Sequence, residues 1–321
     1  GDDAPAPALE LDARTRRLIA RGVPPQWRGR VWHALLCRAA SRRGDPALLA
    51  ALHDSGYYAL LLRRRARATH AEVRELIRKD ARRTFGDHRD ARKLQASTRR
   101  VLDAYSHRNP RVGYCQSMNF LAATLLLFLP EHAAFWTICA IVELALPAGF
   151  YATQLHGVTV ELRLLSDLLS RSHGALLAHL QRAGVGFEMA CSRWLMCAFI
   201  TVLPLAHTLR LWDLLLLDAA AKGGTSTVPL LVCLGLLQLS ESKLLATHDA
   251  DALRMLLLEL PQSLSPSQLD ELVDSVARVV ERASTGADLL QEQVAPLRAR
   301  HTRVVEAELL LREAADYCQQ V

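Results

Sequence analysis

Apolar and polar residues rarely alternate here at the two-residue period of a half-buried strand; almost every segment repeats at the three- and four-residue spacing of a helix face. That pattern predicts an all-α chain of a dozen or more helices. Several starts carry capping chemistry. Thr69-His70-Ala71-Glu72 and Ser265-Pro266-Ser267-Gln268 are capping boxes, in which a hydroxyl and a carboxylate or amide satisfy free amides at a helix start. Val23-Pro24-Pro25 opens a helix whose stripe reads Trp27, Val31, Leu35 with Trp32 and Leu36. Gly86, Asn109-Pro110, Pro130, His173-Gly174, Pro204 and Lys222-Gly223-Gly224 are stops. Helices are expected near 45–64, 70–85, 89–107, 115–129, 132–146, 157–181, 187–203 and 286–318, the last interrupted at Pro296. Gly and Pro punctuate 145–157. The expected division is an N-terminal lobe over 8–150, a C-terminal lobe over 151–283 and a charged helical extension over 284–321.

At 321 residues, half of them hydrophobic and 22% charged, the chain can bury a sizeable core. Its net charge is +6, and of 39 basic residues only four are lysines, leaving 35 arginines. The cations gather in the N-terminal half, around Arg63–Arg67 and Arg78–Arg100. They read best as a solvated helical face, and no nucleic-acid reading module accompanies them. Seven cysteines, none in a C-x-x-C pair, sit largely in apolar runs such as those around Cys139, Cys191, Cys197 and Cys233. They suit buried thiols in a reducing cytosol better than disulfides or zinc; no metal site is expected. No signal-peptide pattern opens the chain, and its apolar runs stop short of the ~18 residues that a membrane span needs. The start at Gly1-Asp2-Asp3, without Met, suggests a domain excised from a longer protein.

Two segments carry the chemistry. In Ile77-Arg78-Lys79-Asp80-Ala81-Arg82-Arg83-Thr84, helical spacing puts Ile77, Asp80 and Thr84 on one stripe with Val73. A carboxylate on an apolar stripe needs a partner, and Arg83, three residues on, is within reach. Arg keeps its proton and bonds phosphate oxygens in a fork, which suits charge developing on a transferring phosphoryl group. The ordinary reading of such a pair is a surface ion pair. In Gly113-Tyr114-Cys115-Gln116-Ser117-Met118-Asn119, Gln116 stands at the mouth of an apolar helix with one donor and one acceptor group, able to orient a water. The bland alternative is a capping Gln. A sharper rival treats the segment as a nucleophile elbow with Cys115 as thiolate, but that turn follows a strand, whereas 104–109 reads as helix.

Together these segments resemble the TBC-domain family, GTPase-activating proteins for Rab GTPases. The signature I-x-x-D-x-x-R is present as Ile77, Asp80 and Arg83, and Y-x-Q as Tyr114 and Gln116. Gly22–Trp32, Phe135-Trp136 with Glu143, Ser192–Leu195 and Leu209–Asp213 add likeness over roughly 18–283. The resemblance implies a two-lobed, all-helical domain in which Arg83 is an arginine finger and Gln116 a glutamine finger that stands in for the GTPase's own. Asp80 would orient Arg83, Ile77 and Thr84 would anchor the finger helix, and Tyr114 would fix the Gln116 loop and touch the partner. Asn119 falls in the same supporting set, while Trp32, Trp194, Trp212 and Asp213 would hold the lobes together. The implied partner is a GTP-bound Rab-type GTPase, which brings the GTP and magnesium, so no cofactor of its own is expected. The implied setting is cytoplasmic, and peripheral association with endomembranes is compatible with it. Gly86-Asp87, where family members often carry Pro, and the Ala- and Gly-rich 218–227 depart from the family pattern. A non-catalytic Rab-binding scaffold of the same fold is the alternative. Absence of a P-loop agrees with a protein that completes another's site.

Overall fold

The computed structural model describes residues 10–64, 71–86, 89–152, 154–283 and 289–320. Among these residues there is no strand, so the fold is all-α, as periodicity predicts. The helices run, in chain order, α1 Ala13–Ala20, α2 Pro25–Arg43, α3 Pro46–His53, α4 Ser55–Arg64, α5 Ala71–Arg82, α6 Ala91–Arg108, α7 Met118–Leu126, α8 Glu131–Ala140, α9 His156–Ser172, α10 Gly174–Arg182, α11 Glu188–Met196, α12 Leu205–Lys222, α13 Val228–Leu239, α14 Glu241–Ala246, α15 Ala250–Glu259, α16 Pro266–Ala283 and α17 Leu289–Gln320.

Local chemistry sets many of these ends. Asp12, Asp45 and Asp249 accept hydrogen bonds from the backbone N–H groups of Thr15, Leu48 and Ala252 at 2.7, 2.9 and 2.8 Å, each satisfying an amide left free at a helix start. The predicted box at Ser265 forms in both directions: Ser265 N donates to Gln268 Oε1 and Gln268 N to Ser265 Oγ. The other predicted box, at Thr69, lies outside the described residues. Gly44 and Gly223 close α2 and α12 in the left-handed conformation that glycine adopts without penalty.

Two groups of helices share one continuous core. The first gathers α4, α5, α7 and α8 round α6, whose Val101, Leu102 and Tyr105 are buried. The second is built on α9 and α12, with α10, α11, α13 and α17 packed on α9 and with α1, α13 and α16 on α12. Helix α2 joins them by packing on both α12 and α8. At that joint Asp213 of α12, fully buried, accepts from Trp32 Nε1 at 2.7 Å and Val23 N at 2.9 Å, and pairs with Arg28 at 3.3 Å. Burial pushes the Asp213 carboxyl above the ordinary carboxylate range, against the pull of Arg28.

Several expected helices divide or shift. The segment 45–64 breaks at Asp54, whose side chain accepts from Gly56 N at 2.8 Å instead of leaving the helix to continue. The segment 157–181 divides at His173-Gly174, and 132–146 ends in a π-helical turn over Ile141–Ala145. Helix α11 stops at Met196, and Ala198 and Phe199 follow with positive φ. Pro296 does not interrupt α17. It removes one hydrogen bond, to the carbonyl of exposed Glu292, while burial of Val294 and the ion pair of half-buried Arg298 with Glu161 keep the helix on α9. Trp27 is exposed rather than part of the buried stripe, its ring covered by the Arg30 guanidinium at 5.6 Å. No helix among the described residues is long and apolar enough to cross a membrane.

Candidate functional site

Helix α5 is strongly two-faced. Ile77, Asp80 and Ala81 are buried, while Leu76, Lys79 and Arg82 look outward. Its end brings Arg83 to the surface: the Arg83 side chain is 59% exposed, whereas that of Asp80 is 11% exposed. Arg83 Nη2 reaches Asp80 Oδ1 at 2.7 Å. For stability such a half-exposed pair contributes only a few tenths of a kcal/mol. Its effect is directional, since it narrows the rotamers open to a long side chain.

The second carboxylate oxygen of Asp80 leads to the other segment. Tyr114 Oη donates to Asp80 Oδ2 at 2.6 Å and lies 3.2 Å from Asn119 Oδ1. Burial, reinforced by the Asp80 hydrogen bond, raises the phenol's pKa above its ordinary value and keeps it a donor. A second link runs beside the first. Asn119 Nδ2 donates to Thr84 Oγ1 at 2.7 Å, and Thr84 Oγ1 donates to the Asp80 carbonyl at 2.6 Å. Asn119 Oδ1 also accepts from Ser117 N at 3.1 Å. Asp80, Thr84, Tyr114 and Asn119 thus tie the end of α5 to the loop before α7. Arg83 adjoins Thr84, and Gln116 adjoins Ser117. Ile77, fully buried, anchors α5 beneath them.

The loop itself is built by α6 and α7. Asn109 caps α6 and accepts from Val112 N through its side chain, and Gly113 turns the chain with φ 59°. Helix α7 begins at Met118, later than the 115 that sequence suggests, so Cys115, Gln116 and Ser117 lie in the turn. Gln116 is exposed. Each motif has a left-handed non-glycine residue beside it. Phe85 has φ 48° and meets the Phe120 ring edge-on at 6.2 Å. Ser117 has φ 90° and is buried, its hydroxyl 3.5 Å from Cys197 Sγ. Such backbone costs on the order of 1–3 kcal/mol and persists only where neighbours hold it.

The structure sets the seven candidate residues on two adjoining segments: Ile77, Asp80, Arg83 and Thr84 on α5 and its end, and Tyr114, Gln116 and Asn119 on the turn before α7 and its first residues. Sequence reasoning missed Ser117 and Cys197. The nearest signal was Ser192–Leu195, which marked α11 without saying that its end meets the Gln116 loop. Cys115 is unsuited to nucleophilic work: burial pushes its thiol up to about 11, helix α6 precedes it instead of a strand, and its own backbone N–H is taken up by Met118 Sδ at 3.4 Å.

The Rab-GTPase-TBC domain family matches residues 25–245. Growth hormone-regulated TBC protein 1-A of Danio rerio is 34% identical over 66% of this chain and 58% of its own length. The GTPase-activating protein GYP3 of Saccharomyces cerevisiae is 30% identical over 67% of this chain and 40% of its own. The chain therefore spans roughly half the length of these relatives. The solved Chlamydomonas flagellar RabGAP TBC domain superposes with a TM-score of 0.66 at 26% identity, covering 84% of this chain and 85% of that one.

Proposed function

The chain belongs to the Rab-GTPase-TBC domain family, and from that premise we propose that it accelerates GTP hydrolysis by a Rab-type GTPase, supplying Arg83 and Gln116 in trans. The observation that carries this reading is the double link between the two loops, Asp80 to Tyr114 and Thr84 to Asn119, with an exposed Arg and an exposed Gln beside it. Bringing a guanidinium and an amide together on a surface has little value for stability. It has a large value where charge develops on a γ-phosphoryl group and a water must be aligned.

In this mechanism the GTPase docks with GTP and magnesium already bound. Arg83 bonds the phosphoryl oxygens, held to its direction by Asp80. Gln116 accepts from and donates to the attacking water and the GTPase backbone, in place of the GTPase's own glutamine. Preorganisation matters because each linked side chain has lost its freedom before docking.

The test is single-turnover hydrolysis across a panel of purified, GTP-loaded Rab-type GTPases. We expect stimulation of at least one, loss of a large part of it with Gln116→Ala, and retention when the GTPase's own glutamine is replaced by Leu. A GTPase that binds the protein tightly while hydrolysing GTP at its intrinsic rate would favour the non-catalytic scaffold.

A further inference from the structure

We propose that the outward face of α11, made by Met189 and Arg193 with the half-buried Met196 at its end, is a docking surface for the GTP-loaded GTPase; this rests on the function proposed above. The three residues fall at i, i+4 and i+7, one stripe of a helix whose opposite face, Ala190, Cys191, Trp194 and Leu195, is buried. Met189 is 57% exposed and Arg193 is exposed. Of the chain's four methionines, Met189 and Met196 lie on α11, and Met118 opens α7, where its Sδ accepts from Cys115 N next to Gln116.

Continuity with the fingers makes this face more than a chance apolar patch. Cys197, the residue after α11, touches Ser117, the residue after Gln116. Tyr151 Oη donates to the Met196 carbonyl at 2.7 Å, and the positive φ angles of Ala198 and Phe199 turn the chain away at once. The C-terminal end of α11 is thereby pinned against the loop. Arg193 then lies about 6 Å and Met189 about 12 Å back along the helix axis. A specific protein interface covers about 800 Å² on each partner, a disc of roughly 16 Å radius. A GTPase centred on Arg83 and Gln116 therefore extends over α11.

The chemistry fits selection among related partners. Methionine is flexible and polarisable and repacks against differing apolar surfaces. Arg193 favours a partner with an acidic side chain at the rim of that contact and penalises a basic one. The expected complement is an apolar GTPase patch edged by Asp or Glu.

The test measures binding of a panel of Rab-type GTPases, loaded with a non-hydrolysable GTP analogue, by calorimetry, together with single-turnover rates over a range of protein concentration. The Met189→Ala/Arg193→Ala double variant should bind at least about tenfold more weakly and reach the wild-type rate at saturation. Met255→Ala, on α15 and similarly exposed at 54%, should bind as wild type. Unchanged affinity in the double variant overturns the docking surface even if Arg83→Ala abolishes stimulation. Weakened binding by the double variant of a GTPase whose hydrolysis is never stimulated keeps the surface and removes the proposed function. Binding of no GTPase in the panel by the wild-type protein overturns both.

Discussion

Asp80 divides its carboxylate between two tasks, one oxygen for Arg83 and the other for the Tyr114 hydroxyl. Removing that hydroxyl leaves a nearly buried oxygen without its donor, at a cost of about 1–3 kcal/mol. Tyr114→Phe should therefore lower the thermal unfolding midpoint and, by loosening both loops, also slow stimulated hydrolysis at saturating protein. A lower midpoint with an unchanged rate would make Tyr114 structural only. At this scale much was legible in the sequence. A carboxylate on an apolar stripe, an Arg three residues on and a Tyr-x-Gln after a glycine each advertise their chemistry by type and spacing. Ser117 was not legible: nothing in a serine announces φ 90°, which is fixed by Asn119, Cys197 and the packing of α7.

Among the elements, α8 illustrates how a helix start can also be a joint. Glu131, its first residue, pairs with Arg100 and accepts from Ser97 Oγ and Tyr58 Oη at 2.9 Å each, joining α8 to α6 and α4. The Arg100 hydrogen bond, ahead of the two hydroxyls, holds the Glu131 carboxyl below its ordinary value of 4.5. A depressed folded-state pKa contributes stability that is present above about pH 4.5 and is lost as pH falls through the lower folded value. Glu131→Gln should remove about 1 kcal/mol near neutral pH, allowing for solvent screening, and flatten the acid limb of a stability–pH profile. An acid limb as steep as wild type would contradict this. Helix periods were readable over most of the chain because each helix buries one face. The breaks at Asp54, Ile141–Ala145 and Ala198 were not, because tertiary contacts and local side-chain bonds set them rather than any Gly or Pro.

For the whole molecule, the joint at Asp213 connects the start of the chain to α12 across 190 residues. Its four donor groups come from Val23, Arg28 and Trp32, and the tryptophan landmarks in the sequence pointed to such a role without naming the acceptor's partners. Asp213→Ala should cost on the order of 3–5 kcal/mol, since it strands the buried Arg28 guanidinium. Denaturant titration should show the midpoint falling sharply; a near-native midpoint would mean that the hub is dispensable. The same frame sets α5, α7 and α11 around the Arg83 and Gln116 segments, so the proposed role depends on the fold as a whole. The most direct measurement is the single-turnover GTP hydrolysis rate of a responsive Rab-type GTPase at saturating wild-type or Arg83→Ala protein, with binding of both measured alongside. Equal binding and a rate lower by about 10³-fold or more are expected, equivalent to about 4 kcal/mol of transition-state stabilisation. Full stimulation by Arg83→Ala at equal occupancy would contradict the proposed role of Arg83.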